Sequence, residues 1–87
     1  MEFIDTVKKK VPKYKQDMNF GILLSFIREH KLKNNKQLKA AISNEIKKVR
    51  MWLAKNKDPG TMNRVRREYI RKLEYFVDIR KISEEYL

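Results

Sequence analysis

Three arginines, Arg64, Arg67 and Arg71, recur at i, i+3 and i+7, with Arg66 and Lys72 beside them and only Glu68 opposed between residues 61 and 72. On a helix that spacing draws one guanidinium stripe, and a guanidinium presents a planar fork that holds phosphate through two hydrogen bonds. The alternative is a solvated helix face paired to Glu68 and Glu74. A second group of bases runs through Lys36, Lys39, Lys47, Lys48, Arg50 and Lys55, with Gln37, Asn44 and Met51 interleaved. Residues that could drive catalysis are sparse. His30 is the only histidine and sits beside Glu29 on the polar edge of its run. None of Ser25, Ser43 or Ser83 has the acid-oriented histidine and strained turn that a nucleophilic serine needs. Glu29-His30-Lys31 and Glu45-Ile46-Lys47 spell a Glu-x-Lys pair, but on helical segments and without a second acid. No glycine-rich phosphate loop is present, the carboxylates are too scattered for a hard-metal cage, and there is no cysteine. The expectation is a non-enzyme with no cofactor and no metal.

The charge that surrounds these residues is lopsided. Twenty-two Lys and Arg against eleven Asp and Glu leave +11 over 87 residues, enough for one small domain. Residues 8–72 hold twenty of the bases and five of the acids, whereas residues 1–7 and 73–87 are each acidic by two. Such a field draws polyanions, nucleic acid above all. No apolar run is long enough to cross a bilayer, and no signal peptide is evident at the N-terminus. A cytoplasmic location without membrane contact is expected.

Positioning these side chains falls to helices. Phe20, Leu23, Leu24 and Ile27 follow i, i+3, i+4, i+7 spacing, with Ile22 and Phe26 broadening the stripe, which predicts a helix over about 18–32. Leu38, Ala41, Ile42, Ile46, Val49 and Leu53 keep helical phase, as do Met62, Val65, Tyr69, Leu73, Phe76 and Ile79 from about Thr61 to Ile82. No stretch alternates with period two, so the chain reads as an all-α bundle of three to five helices. Residues 1–16, with Phe3, Ile4 and Val7 leading into Lys8–Lys15 around Pro12, read as a basic N-terminal arm or short helix, and 17–87 as a single helical domain. Tyr14 is available for stacking on that arm. Asn56 to Thr61, through Pro59-Gly60, is a turn signal with Thr61 placed to cap the next helix. Trp52, Phe20, Phe26, Tyr69, Tyr75 and Phe76 are expected in the core.

The run 36–55 admits two readings. Its apolar phase is unbroken, as in one helix of about 20 residues. Ser43-Asn44 divides it, and both residue types favour caps and turns; a break there would give a helix-turn-helix, and the neighbouring residues favour the break. Phe20–Glu29, then Asn35-Lys36-Gln37-Leu38 and Ile42, then Val49, Trp52 and Leu53, with Pro59 beyond, resemble the helix-turn-helix domain of the phage repressor and Cro family over residues 20–59. Lys39 departs from that family's small residue, and Ser43-Asn44 from its glycine and apolar pair. The resemblance implies base contacts from Asn44, Lys47, Lys48 and Met51 in a major groove. It implies phosphate contacts from Lys36, Gln37, Lys39, Arg50 and Lys55, to which the Arg64, Arg67, Arg71 stripe adds. Residues 59–76, through Pro59-Gly60-Thr61, Val65, Tyr69, Leu73 and Phe76, are similar to a helix of the DNA-clasping N-terminal domain of tyrosine recombinases.

The functional expectation is a small DNA-binding protein, regulatory or accessory (transcription regulation is one such role), acting by occupancy. Tyr75, Val77, Ile79, Ile82, Tyr86 and Leu87 offer a homodimer surface on the charge-poor C-terminal helix. The alternatives are an interaction or inhibitor protein of phage or mobile-element type docking on an acidic partner, and an RNA-binding helical bundle.

Overall fold

The computed structural model describes residues 2–57 and 63–87. Four α-helices follow one another: α1 Phe3–Lys10, α2 Met18–Glu29, α3 Asn35–Lys55 and α4 Asn63–Tyr86, with one 3-10 turn at Lys13–Lys15. Among the described residues there is no strand, so the chain is a small all-α bundle. No helix among the described residues is long and apolar enough to cross a membrane.

Local chemistry sets the helix ends. In α1, Asp5 lies in the first turn and Lys8, Lys9 and Lys10 in the last, both matched in sign to the helix dipole. Gln16 Nε2 donates to the carbonyls of Val11 at 2.9 Å and Lys8 at 3.2 Å, drawing the chain back over the end of α1. The Asp17 carboxylate starts α2 by accepting from the backbone of Asn19 and Phe20 at 3.0 and 3.3 Å. Helix α2 stops at Glu29, short of the residue 32 expected from periodicity, because Lys31 turns left-handed with φ 52°. The amides of Lys31 and Leu32 then bond back to Arg28 and Ile27, the paired pattern that usually places glycine where Lys31 stands. Asn34 caps α3 by accepting from the Gln37 amide at 2.8 Å, and Gln37 Oε1 accepts from Lys33 at the same distance.

Helix α3 does not break at Ser43-Asn44, which corrects the helix-turn-helix expected at 36–55. Both residues are exposed and lie within one continuous 21-residue helix. The energetics favour continuity: a Ser and an Asn inside a helix cost together about 1 kcal/mol relative to alanine. Keeping Leu38, Ile42, Ile46 and Val49 on one buried line returns about 1.5–3 kcal/mol for each side chain.

The main core gathers Val7 and Val11 from the N-terminus, Phe20, Leu23, Phe26 and Ile27 from α2, Leu38, Ile42 and Ile46 from α3, and Ile79 and Ile82 from α4. The stretch read as an arm or short helix carries α1 and is folded onto the bundle, although Tyr14 remains 78% exposed. Ile79 and Ile82 belong to this core, so the proposed dimer surface loses its two strongest apolar members. Buried Ser83 donates its hydroxyl to Asn35 Oδ1 at 2.5 Å, joining the start of α3 to the end of α4. Asn19 Nδ2 donates to Asp78 at 3.2 Å between α2 and α4. The Tyr86 phenol is raised above its ordinary pKa, first by its hydrogen bond with Tyr14 and then by desolvation.

Helices α3 and α4 pack along their lengths as an antiparallel pair, giving an elongated body of 48 × 24 × 20 Å. Away from the main core, Trp52 stacks on Tyr69 with ring centroids 4.0 Å apart and planes 4° from parallel. Val65, expected to face inward, is 38% exposed. Of the turn read at Asn56 to Thr61, residues 58–61 lie outside the described residues, as do the Thr61 cap and Met62.

Candidate nucleic-acid interface

Helix geometry divides the basic residues of α3 into two sets. At about 100° per residue, Lys36, Lys39, Lys47 and Arg50 fall within an arc of roughly 80° that begins beside the buried line Leu38–Val49. All four are exposed. Ser43 and Ala54 continue the same arc. Lys47, Arg50 and Met51 border an open groove of about 440 Å³ whose floor includes Ile46 and Ala54, and Arg80 of α4 reaches it from the other side. Three cations thus converge on one shallow groove along the α3–α4 seam.

Arg80 was not among the residues expected at the interface. Its signal was present in the sequence, since it stands four residues after Phe76 and seven after Leu73, in phase with the face α4 turns to α3. It is half-buried and paired to Glu84 at 4.0 Å.

Lys48 leaves this group. It pairs with Glu45 at 3.6 Å and borders a larger, apolar groove of about 840 Å³ walled by Ile22, Phe26, Val49, Tyr69 and Phe76. Lys72 lies on the same rim, 5.1 Å from the Tyr69 ring centroid. Asn44 and Lys55 are exposed on the outer back of α3. With no break in α3, Asn44 and Lys48 stand in mid-helix and not near a helix N-terminus, so the base-reading position assigned to them is absent. Gln37 is engaged through its oxygen in the α3 cap, which leaves its amide nitrogen as the outward donor.

The arginine stripe forms a separate face. Arg66, Tyr69 and Leu73 mark the side of α4 toward α3; Arg66 Nη1 donates to the carbonyls of Leu53 at 3.1 Å and Asn56 at 2.5 Å. These bonds satisfy acceptors left open at the C-terminus of α3. Arg64, Arg67 and Arg71 project roughly 160° away from that side and are exposed. Pairing to Glu68 and Glu74 does not occur: among the described residues the ion pairs are Lys48–Glu45 and Arg80–Glu84. Further along the same line of α4 come Glu74 and Asp78, so the basic face ends within three turns.

The residues weighed for catalysis are elsewhere. His30 closes α2 with its ring 4.3 Å from Phe26, Ser83 is buried against Asn35, and Glu45 pairs with Lys48 and not with Lys47. No group of three or more His, Asp or Glu able to hold a metal ion occurs among the described residues. No family model matches the chain, and no match was found among curated proteins or solved structures.

Proposed function

We propose that this protein binds duplex DNA through its phosphates and acts by occupancy, as a regulatory or accessory factor without catalysis. The observation that carries this reading is the excess of uncompensated cations. Lys36, Lys39, Lys47 and Arg50 line one side of α3, and Arg64, Arg67 and Arg71 line one side of α4, all exposed and none in an ion pair among the described residues. Pairing within the fold would have neutralised them; left open, they attract a polyphosphate and release its condensed counterions on contact. Backbone contacts of this kind set position without reading bases, and the mid-helix placement of Asn44 and Lys48 favours little sequence preference. The test is binding of a mixed-sequence duplex across a salt series. Affinity should collapse between low and moderate salt, and affinity indifferent to salt would overturn the reading.

The apolar groove between α2, α3 and α4 supports a second reading, a helical interaction protein. Its rim carries Glu29 and Glu45 as well as Lys48 and Lys72, so the balance there does not favour an acidic partner in particular. Under this reading a protein complex would survive nuclease treatment.

A further inference from the structure

We infer that the protein holds two duplexes at once, one along the α3–α4 seam and one across the outer face of α4. The inference rests on the duplex-binding reading and adds that the phosphate grip is divided. The seam face comprises Lys36, Lys39, Lys47 and Arg50 with Arg80 at its groove, while Arg64, Arg67 and Arg71 point away from α3. The seam set lies beside the buried line of α3 and the arginines point roughly 160° from the side α4 turns to α3, so the two faces stand at roughly a right angle. A major groove about 12 Å wide admits one helix. The body behind these residues is 24 × 20 Å in section, too broad for α3 and α4 to enter together. A duplex is convex and so is this body, hence a straight duplex lies against one face at a time. Each face has its own chemistry: the seam set spans about 21 Å of helix, and the arginine set about 10 Å. Glu74 continues the arginine line and repels a duplex lying along α4, and at Asp78 that line meets α2 through Asn19, so the second duplex crosses the helix near its start. Filling one face leaves the other open, and two duplexes become bridged through a single chain.

The experiment uses the full chain, one duplex immobilised on beads and a second, fluorescently labelled duplex in solution. Protein retained on the beads reports single-duplex binding, and captured fluorescence reports bridging. Wild type should capture the labelled duplex. A seam variant (Lys39→Ala, Lys47→Ala, Arg50→Ala) and an outer-face variant (Arg64→Ala, Arg67→Ala, Arg71→Ala) should both stay on the beads yet lose capture. Three phosphate contacts at 0.1 M salt correspond to about 500-fold in the affinity of the face that loses them. A control variant removing the same three charges from α1 (Lys8→Ala, Lys9→Ala, Lys10→Ala) should keep capture. Wild type retained on the beads without capture would overturn the inference while leaving duplex binding intact. So would capture by either face variant, or loss of capture by the α1 control. Wild type that fails to stay on the beads at all would overturn the duplex-binding reading and this inference with it.

Discussion

The division of cations into two faces makes the salt dependence of single-duplex binding a quantitative test. Each phosphate neutralised contributes about 0.9 to the slope of log K against log salt. The seam face offers four unpaired cations, and a fifth when Arg80 leaves Glu84, which stands at a loose 4.0 Å. The slope for one protein on one duplex is therefore about −3.6 to −4.5, a loss of about 150- to 500-fold between 50 and 200 mM salt. If eight cations, the four of the seam with Lys55 and the three arginines, met the same duplex, the slope would approach −7 and the loss about 20,000-fold. Fluorescence anisotropy of a short labelled duplex, held dilute while protein is titrated, measures this directly. A slope near zero would refute the phosphate grip. A slope near −7 would refute the separation of the two faces.

Other consequences follow from the fold. Lys31 adopts φ 52°, where a side chain costs about 1 kcal/mol and glycine costs none, so Lys31→Gly should raise stability by roughly 0.5–1 kcal/mol in urea unfolding. Ser83→Ala leaves Asn35 Oδ1 without its donor in a part-buried site and should lower stability by about 1–2 kcal/mol, with the helical circular dichroism of the native state unchanged. Asn44 is exposed inside a continuous helix, so Asn44→Ala should stabilise by about 0.5 kcal/mol and leave duplex affinity unaltered. A destabilised Asn44→Ala protein with altered sequence preference would contradict the unbroken α3. Arg66→Ala opens the C-terminus of α3 and should cost about 1 kcal/mol, read as a thermal midpoint lower by about 4–8 °C.

Helix positions were legible because burial imposes period. Leu23 and Ile27, Leu38 and Ile42, and Ile79 all fall where apolar spacing put them, and all are essentially inaccessible. The break at Ser43-Asn44 was misread because a local preference of a few tenths of a kcal/mol per residue was set against packing whose strength depends on a partner that spacing does not reveal. Only the presence of α4 along the whole of α3 decides it. The core role of Ile82, which spacing offered only as part of a dimer surface, was missed for a related reason. A charge-poor, apolar helix end has the same composition whether it meets a second chain or its own N-terminus, and here Val7 and Val11 share a core with it.

The candidate interface was legible in kind and not in arrangement. Long-range attraction depends on summed charge, which composition states outright. Contact depends on which cations share a plane, and that is set by how far apart two helices turn their stripes. Arg64, Arg67 and Arg71 are coherent by spacing alone, because they lie on one helix. Their relation to Lys47 and Arg50 is fixed by Arg66, Tyr69 and Leu73, which commit the opposite side of α4 to α3. The arginine stripe is turned outward by the same contacts that close the helical pair. A rotation of α4 on α3 by about one residue, some 100°, in the sense that carries the arginines toward the seam would bring the two basic sets toward one plane and, on the duplex-binding reading, merge two weak grips into one strong one. On the proposed duplex-binding reading, bridging and single-duplex affinity are therefore opposed in this scaffold, and the packing of α3 on α4 sets the balance between them.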